Sequence, residues 1–218
     1  MIANTMVSNE NIYPLLNGLV LVGGKSQRMG IPKEKIQWYG KEQCYYLVDL
    51  LKAYCKTVYI SCRAEQEVEM SDKLEGDPIY KFLPDVYTNI GPLGGILTAF
   101  DLEPDRAWLV LACDMPLIDS AAVDFLIQRR DPKKIATAFT NPLNGLPEPL
   151  CTIWEPKGCS ILKQLIAQKK LSPRQALIQQ QVSLMLIGPQ DANILTNVNT
   201  HDEARYAKAI IANKSQDR

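Results

Sequence analysis

Short apolar runs recur along the chain, each ending at Gly, Pro or Asp. Leu19-Val20-Leu21-Val22 stops at Gly23-Gly24, and Tyr80–Leu83 stops at Pro84-Asp85. Ala107–Ala112 (AWLVLA) is almost wholly apolar and stops at Cys113-Asp114-Met115-Pro116. Thr57–Ser61 (TVYIS) is β-branched and aromatic. Such runs predict strands buried on both faces. Between them the spacing changes. Tyr45, Leu47, Val48, Leu50, Leu51 and Tyr54 give one broad apolar helical face, Arg63–Leu74 reads as a charged helix, and Asn89–Ile96 runs into an apolar helix to about Leu102. Ile36–Tyr39 reads as a short extended piece ending at Gly40.

The second half continues the alternation. A helix is expected over Ile118–Arg130, stopped by Asp131-Pro132. Strands are expected at Lys134–Phe139 and Leu150–Trp154, with a Pro/Asn/Gly loop over Thr140–Pro149 between them. Helices follow at Ser160–Lys169 and Pro173–Gln180, the latter with Ser172 as N-cap and Pro at its first position. A strand at Val182–Ile187 and a terminal helix from His201 or Asp202 to about Ala212 complete the pattern. The fold class is α/β: one domain, Rossmann-like, with a mainly parallel twisted sheet and helices on both faces. The domain is expected over 18–212, with an N-terminal extension at 1–17 and a tail at 213–218. Met1–Glu10 is polar and expected to fray.

Composition narrows this picture. The 218 residues suffice for one sizeable core. Lys+Arg and Asp+Glu both number 24, so no basic excess argues for a nucleic-acid partner, and any cationic chemistry must be local. Six cysteines at 44, 55, 62, 113, 151 and 159 form no C-x-x-C pair. With no recognisable signal peptide, they read as reduced thiols of a cytoplasmic protein. One histidine, His201, and no ligand spacing argue against zinc. No apolar run reaches transmembrane length, so no membrane partner is expected.

The candidate chemistry begins where the first apolar run stops. Gly23, Gly24 and Gly30 permit close backbone approach, and Lys25, Arg28, Lys33 and Lys35 surround them. Exposed amides and cations at a strand's C-terminal end suit an anion, usually phosphate. The glycine spacing fails the Rossmann G-x-G-x-x-G pattern, and Leu19 occupies the first glycine of a P-loop. A glycine turn with solvated cations is the bland alternative. Asp114 directly follows the most apolar run, where a carboxylate is costly to desolvate unless it meets a cation. Magnesium facing a triphosphate fits it. The competing role, capping the next helix, can be filled by Asp119 or Ser120. Thr200 or the neighbouring asparagines have an ordinary role as caps of the terminal helix.

Leu21-Val22-Gly23-Gly24-Lys25-Ser26-Gln27-Arg28-Met29-Gly30, with Lys33 three residues on, resembles the nucleotide-binding signature of the molybdenum cofactor guanylyltransferases. These are nucleotidyltransferases with a glycosyltransferase-A-like fold. Gly91-Pro92-Leu93-Gly94-Gly95-Ile96 resembles a second family segment, Asp114-Met115-Pro116 its D-x-P element, and Asn197-Val198-Asn199-Thr200 its N-V-N-T element. Thr57–Arg63 matches more loosely. Two positions depart: Val22 replaces a usual alanine, and Pro32 replaces a usual aspartate, fixing φ and deleting a carboxylate.

The resemblance implies transfer of GMP from GTP to the phosphate of molybdopterin cofactor, with release of pyrophosphate. Its nucleotide contacts fall on Leu21, Val22, Gly23, Gly24, Lys33, Asp85 and Asp114, with Ser61 where some members carry an asparagine near the base. Asn197 and Asn199 fall on the pterin side. Mg²⁺ would sit on Asp114, with Lys33 and Arg28 as catalytic cations. Transient contact with cofactor-biosynthesis or acceptor proteins is a further expectation. The alternatives are a cytidylyltransferase or sugar-phosphate nucleotidyltransferase on the same fold, or a nucleotide-binding regulator without turnover. Gly23, lacking a side chain where related cytidylyltransferases are bulkier, leaves room for a purine.

Overall fold

The computed structural model describes residues 13–22, 30–71, 80–180, 183–186 and 188–216. Its centre is a seven-stranded sheet in the order β3-β2-β1-β4-β6-β5-β7. The strands are β1 (Leu16–Leu21), β2 (Val58–Cys62), β3 (Tyr80–Pro84), β4 (Ala107–Ala112), β5 (Ala136–Thr140), β6 (Pro147–Trp154) and β7 (Ser183–Leu186). The helices are α1 (Gln43–Lys52), α2 (Ala64–Ser71), α3 (Pro92–Leu102), α4 (Ser120–Gln128), α5 (Gly158–Ala167), α6 (Pro173–Gln179) and α7 (His201–Gln216).

β1 pairs in parallel with β2 and β4, β2 with β3, and β5 with β7; β6 runs against both β4 and β5. The sheet is therefore parallel apart from one strand. Every residue of β2 and β4 is buried. Since successive side chains point to opposite faces, both faces must be covered. The predicted runs were apolar without alternation for this reason.

The differences from the expected elements are local. The short extended piece expected at Ile36–Tyr39 is confined to its start, with Ile36 extended. Lys33–Lys35 forms one 3₁₀ turn, followed by an isolated bridge between Gln37 and Glu42. Part of the expected 140–149 loop is strand, because β6 begins at Pro147. Prolines 147 and 149 concealed it, since proline marks a strand as an edge or a non-strand. Ser172 stands at the N-cap of α6 without a side-chain cap bond. Asp119 does cap α4, accepting a hydrogen bond from the Ala122 amide at 3.1 Å, so Asp114 is free of that role. α7 runs on to Gln216. All six cysteines are free thiols. No helix among the described residues is long and apolar enough to cross a membrane. Met1–Glu10 lies outside the described residues.

Two packing features position the site. Trp38, Leu117, Val198, Ala204, Ala207 and Ile211 form a small core of their own, which docks α7 beside the end of β4. The Val198 amide also donates to the Asp114 carbonyl at 2.7 Å. At the other end of the sheet, Glu103 accepts hydrogen bonds from Tyr59 (2.7 Å), Asn17 (3.1 Å) and Arg106 (3.1 Å).

Candidate active site

Four parallel strands end along one edge, and their C-terminal residues line a cavity of about 620 Å³. β1 supplies Leu21 and Val22, β2 supplies Ser61, the residue after β3 supplies Asp85, and β4 leads into Asp114. The register makes this unavoidable: Leu21 pairs with Ser61 on one side and Ala112 on the other. The Val22 amide donates to the Ser61 carbonyl, and the Cys113 amide to the Leu21 carbonyl, both at 3.2 Å. A ligand in such an open sheet lies outside the carboxyl ends of the strands.

One wall carries Lys33 and Asp114, and Asn199 stands behind Lys33 outside the lining. The Lys33 ammonium donates to Asn199 Oδ1 at 2.5 Å and stands 3.7 Å from Asp114 Oδ2. Asp114 Oδ1 is buried and accepts no hydrogen bond. Burial raises the Asp114 carboxyl above its ordinary range, and the charge of Lys33 offsets only part of that. Lys35, two residues away on the 3₁₀ turn, points elsewhere and pairs with Glu69. Pro32 does not break this turn. Its φ of −56° is natural for proline, and its carbonyl accepts the Lys35 amide at 3.0 Å.

The opposite wall carries Ser61 and Asp85. The Ser61 hydroxyl donates to Asp85 Oδ1 at 2.6 Å. Burial raises the Asp85 carboxyl, while the Ser61 hydrogen bond and the Arg63 charge hold it down in part. The glycines of α3 permit this packing. A Cβ on Gly95 would overlap Ser61 Oγ, and one on Gly94 would overlap the Tyr87 carbonyl. Gly91, at φ +61°, opens α3 with no side-chain cap, so the helix presents its positive end at the cavity rim.

The structure thus brings Leu21, Val22, Lys33, Ser61, Asp85 and Asp114 to one cavity. Asn199 is exposed and reaches the site only through its bond with Lys33, and Asn197 is half-buried; neither is part of the lining. Gly23, Gly24, Lys25 and Arg28 lie outside the described residues. Thr200 caps α7: Glu203 accepts from the Asn199 and Thr200 amides, and Thr200 Oγ1 accepts from the Glu203 amide. This reciprocal box fixes the backbone that carries Asn199. His201 is exposed.

Two residues escaped the sequence reading. Arg63 lines the cavity mouth beside Ser61. Glu148, only 3% exposed, accepts from the Leu150 amide at 3.0 Å and from Arg174 at 3.3 Å. Burial raises its carboxyl, the Leu150 amide and Arg174 lower it, and Asp114 raises it again. The β4–β6 pairing ends at Leu111–Cys151, three residues from each of Asp114 and Glu148, and brings Glu148 close enough to feel the Asp114 charge. A buried acid between two prolines, Pro147-Glu148-Pro149, was the available signal.

With this geometry in view, the comparisons are specific. A family model described as the MobA-like NTP transferase domain matches residues 18–184. The chain belongs to this family. The matched span contains the whole described lining of the cavity. Among relatives of the MobA-like chain, the "Molybdenum cofactor biosynthesis bifunctional protein" of Synechocystis is 34% identical over 190 residues, covering 86% of this chain and 52% of that protein. The chain thus spans about half that relative's length. The "Probable molybdenum cofactor guanylyltransferase" of Flavobacterium johnsoniae is 27% identical over 188 residues, covering 86% of this chain and 94% of that one. The crystal structure of molybdopterin-guanine dinucleotide biosynthesis protein A from Archaeoglobus fulgidus superposes with a TM-score of 0.73 at 21% identity, covering 90% and 99% of the two chains. At that identity the likeness is one of fold.

Proposed function

We propose that the protein transfers GMP from GTP to the terminal phosphate of molybdopterin cofactor and releases pyrophosphate. The observation that carries the proposal is the division of one cavity into a wall with Lys33 and Asp114 and a wall with Ser61 and Asp85. The names of the relatives point to the same substrates.

An acceptor phosphate oxygen attacks the α-phosphorus of GTP, a new P–O bond forms, and the bond from the α-phosphorus to the bridging oxygen of pyrophosphate breaks. The nucleophile is already an anion, so no proton need be removed. The reaction therefore requires no Ser, Cys or His nucleophile. The difficulty is charge, because an anion must approach an anion in line. Lys33 offers its ammonium to the phosphates, and the uncapped start of α3 adds a positive dipole end. Ser61 and Asp85 offer a hydroxyl and a carboxylate to the nucleoside, whose base lies against Leu21 and Val22. A buried carboxylate can accept N–H bonds from a guanine edge, and a base that cannot donate leaves it unpaired.

Magnesium fits the donor set. Mg²⁺ is usually held by one or two carboxylates plus substrate phosphates. Asp114 Oδ1 is a buried acceptor with no partner, and no cluster of three or more His, Cys, Asp or Glu exists among the described residues. Bound through Asp114, Mg²⁺ would supply positive charge to the phosphoryl oxygens. Pyrophosphate release from GTP, measured with molybdopterin and Mg²⁺, tests the proposal. Release that requires molybdopterin supports it. Tight GTP binding without turnover would make the protein a nucleotide-binding regulator instead.

A further inference from the structure

The turn that carries Lys33 is short, and it has no side-chain cap of its own. A lysine on such a turn needs outside support to keep its ammonium near Asp114. That support comes from the middle residue of the turn. Glu34 is 4% exposed, although glutamate is seldom buried without a partner. Its partner is Gln66 of α2, itself 7% exposed, whose Nε2 donates to Glu34 Oε1 at 2.8 Å.

Gln66 has a second bond. Its Oε1 accepts the backbone amide of Arg63 at 3.0 Å. Arg63 precedes α2, and Gln66 is three residues on, so the amide caps the helix by reaching back to its first free N–H. The amide orientation follows from chemistry: a carboxylate only accepts, and a backbone N–H only donates. One buried side chain therefore binds the Lys33 turn on one side and the Arg63 backbone on the other. Both Lys33 and Arg63 line the cavity. Lys35–Glu69 joins the same turn to the same helix, but as a more exposed pair that contributes little.

We infer that Glu34 and Gln66 are positioning residues, a clamp that fixes the Lys33 turn and the backbone of Arg63, which carry two cations of the described cavity lining, relative to each other. The inference deepens the nucleotidyl-transfer reading and rests on it for the ligand. The residues that form the clamp touch no reacting atom; they act through the groups they hold. Cations held in place before the ligand arrives cost less ordering on binding.

The test uses the whole chain and two independent readouts. The first is GTP affinity by titration calorimetry in the presence of Mg²⁺. Glu34→Ala is expected to weaken binding about tenfold, the size of one hydrogen bond to a charged group. Glu34→Gln can still accept from Gln66 and is expected to stay within about twofold. Gln66→Glu sets two carboxylates face to face and is expected to weaken binding at least as much as Glu34→Ala. The exchanged pair Glu34→Gln with Gln66→Glu restores every bond and is expected to recover affinity. In a Lys33→Ala background, Glu34→Ala is expected to cost clearly less than in wild type, because only the Arg63 arm of the clamp remains to be lost, which separates positioning from general damage.

The second readout is backbone hydrogen exchange of residues 30–39 and 63–71 without nucleotide. Exchange should accelerate in both segments in Glu34→Ala and in neither in Glu34→Gln. Failure of wild-type protein to bind GTP would refute the proposed function, and the exchange result would still decide the clamp. Unchanged affinity and exchange in Glu34→Ala would overturn it, as would an undiminished loss in the Lys33→Ala background.

Discussion

The two ends of the sheet hold carboxylates in opposite ways. At the N-terminal ends of the strands, Glu103 receives Tyr59 and Asn17 on one oxygen and Arg106 on the other. Burial alone would raise the Glu103 carboxyl, but these donors carry it below its ordinary range. At the C-terminal ends, Asp114 keeps one buried oxygen without a donor, and its carboxyl stays raised. The same strands serve both ends, since β2 provides Tyr59 to one and Ser61 to the other. A carboxylate whose bonds are all made within the chain holds the fold. One with a bond left open is available to something the chain does not supply, which in the proposed reaction is positive charge at the phosphates.

The largest effect that sharpens this contrast is chemical. Asp114→Asn keeps the size of the side chain and removes the charge. It should lower kcat by at least about a hundredfold, on the order of 3 kcal/mol. Stability should not fall. With a raised folded-state pKa, the ionised Asp114 opposes folding above the ordinary carboxylate range, and that cost disappears as the pH drops and it protonates. The Asn variant should therefore match or exceed wild type in urea midpoint at neutral pH, and lose any advantage in acid. A stable variant with wild-type turnover would erase the distinction between the two ends.

Next in size is the reverse experiment. Glu103→Ala strands the Asn17, Tyr59 and Arg106 donors and should cost about 2–3 kcal/mol of stability, read as a lower urea midpoint. The sign with pH is opposite. A carboxyl whose folded pKa is lowered stabilises above its unfolded value and loses that contribution as pH falls through the folded value. The deficit of the variant should thus shrink below about pH 4. Turnover per folded molecule should not change.

The smallest effect separates two lysines. Lys33→Ala should reduce kcat/KM for GTP about tenfold or more, because Lys33 stands at Asp114. Lys35→Ala should change it less than about twofold, because Lys35 pairs with Glu69 away from the cavity. Equal effects would mean that the cations act as a general field rather than from fixed positions.

How much of this was legible in the sequence depends on the range of the interaction. Leu19–Val22 and Ala107–Ala112 announced themselves, since burial on both faces leaves an unbroken apolar run. Asp114 stood out for the same reason, as a charge at the end of such a run. Glu148 did not, because it is the pairing of β6 with β4 that brings it near Asp114, and strand pairing is not a local property. Which lysine faces the cavity was equally hidden: a three-residue turn aims side chains two apart in different directions. Gln66 looked like one polar residue in a charged helix until Glu34 was seen against it.

A structure of the protein with GTP and Mg²⁺ tests the central claim most directly. The account predicts the nucleoside between Val22 and the Ser61–Asp85 pair, the phosphates beside Lys33, and a metal ion completing the open bond of Asp114 Oδ1. Nucleotide bound away from this edge of the sheet, or an Asp114 oxygen still without a partner in the complex, would contradict it.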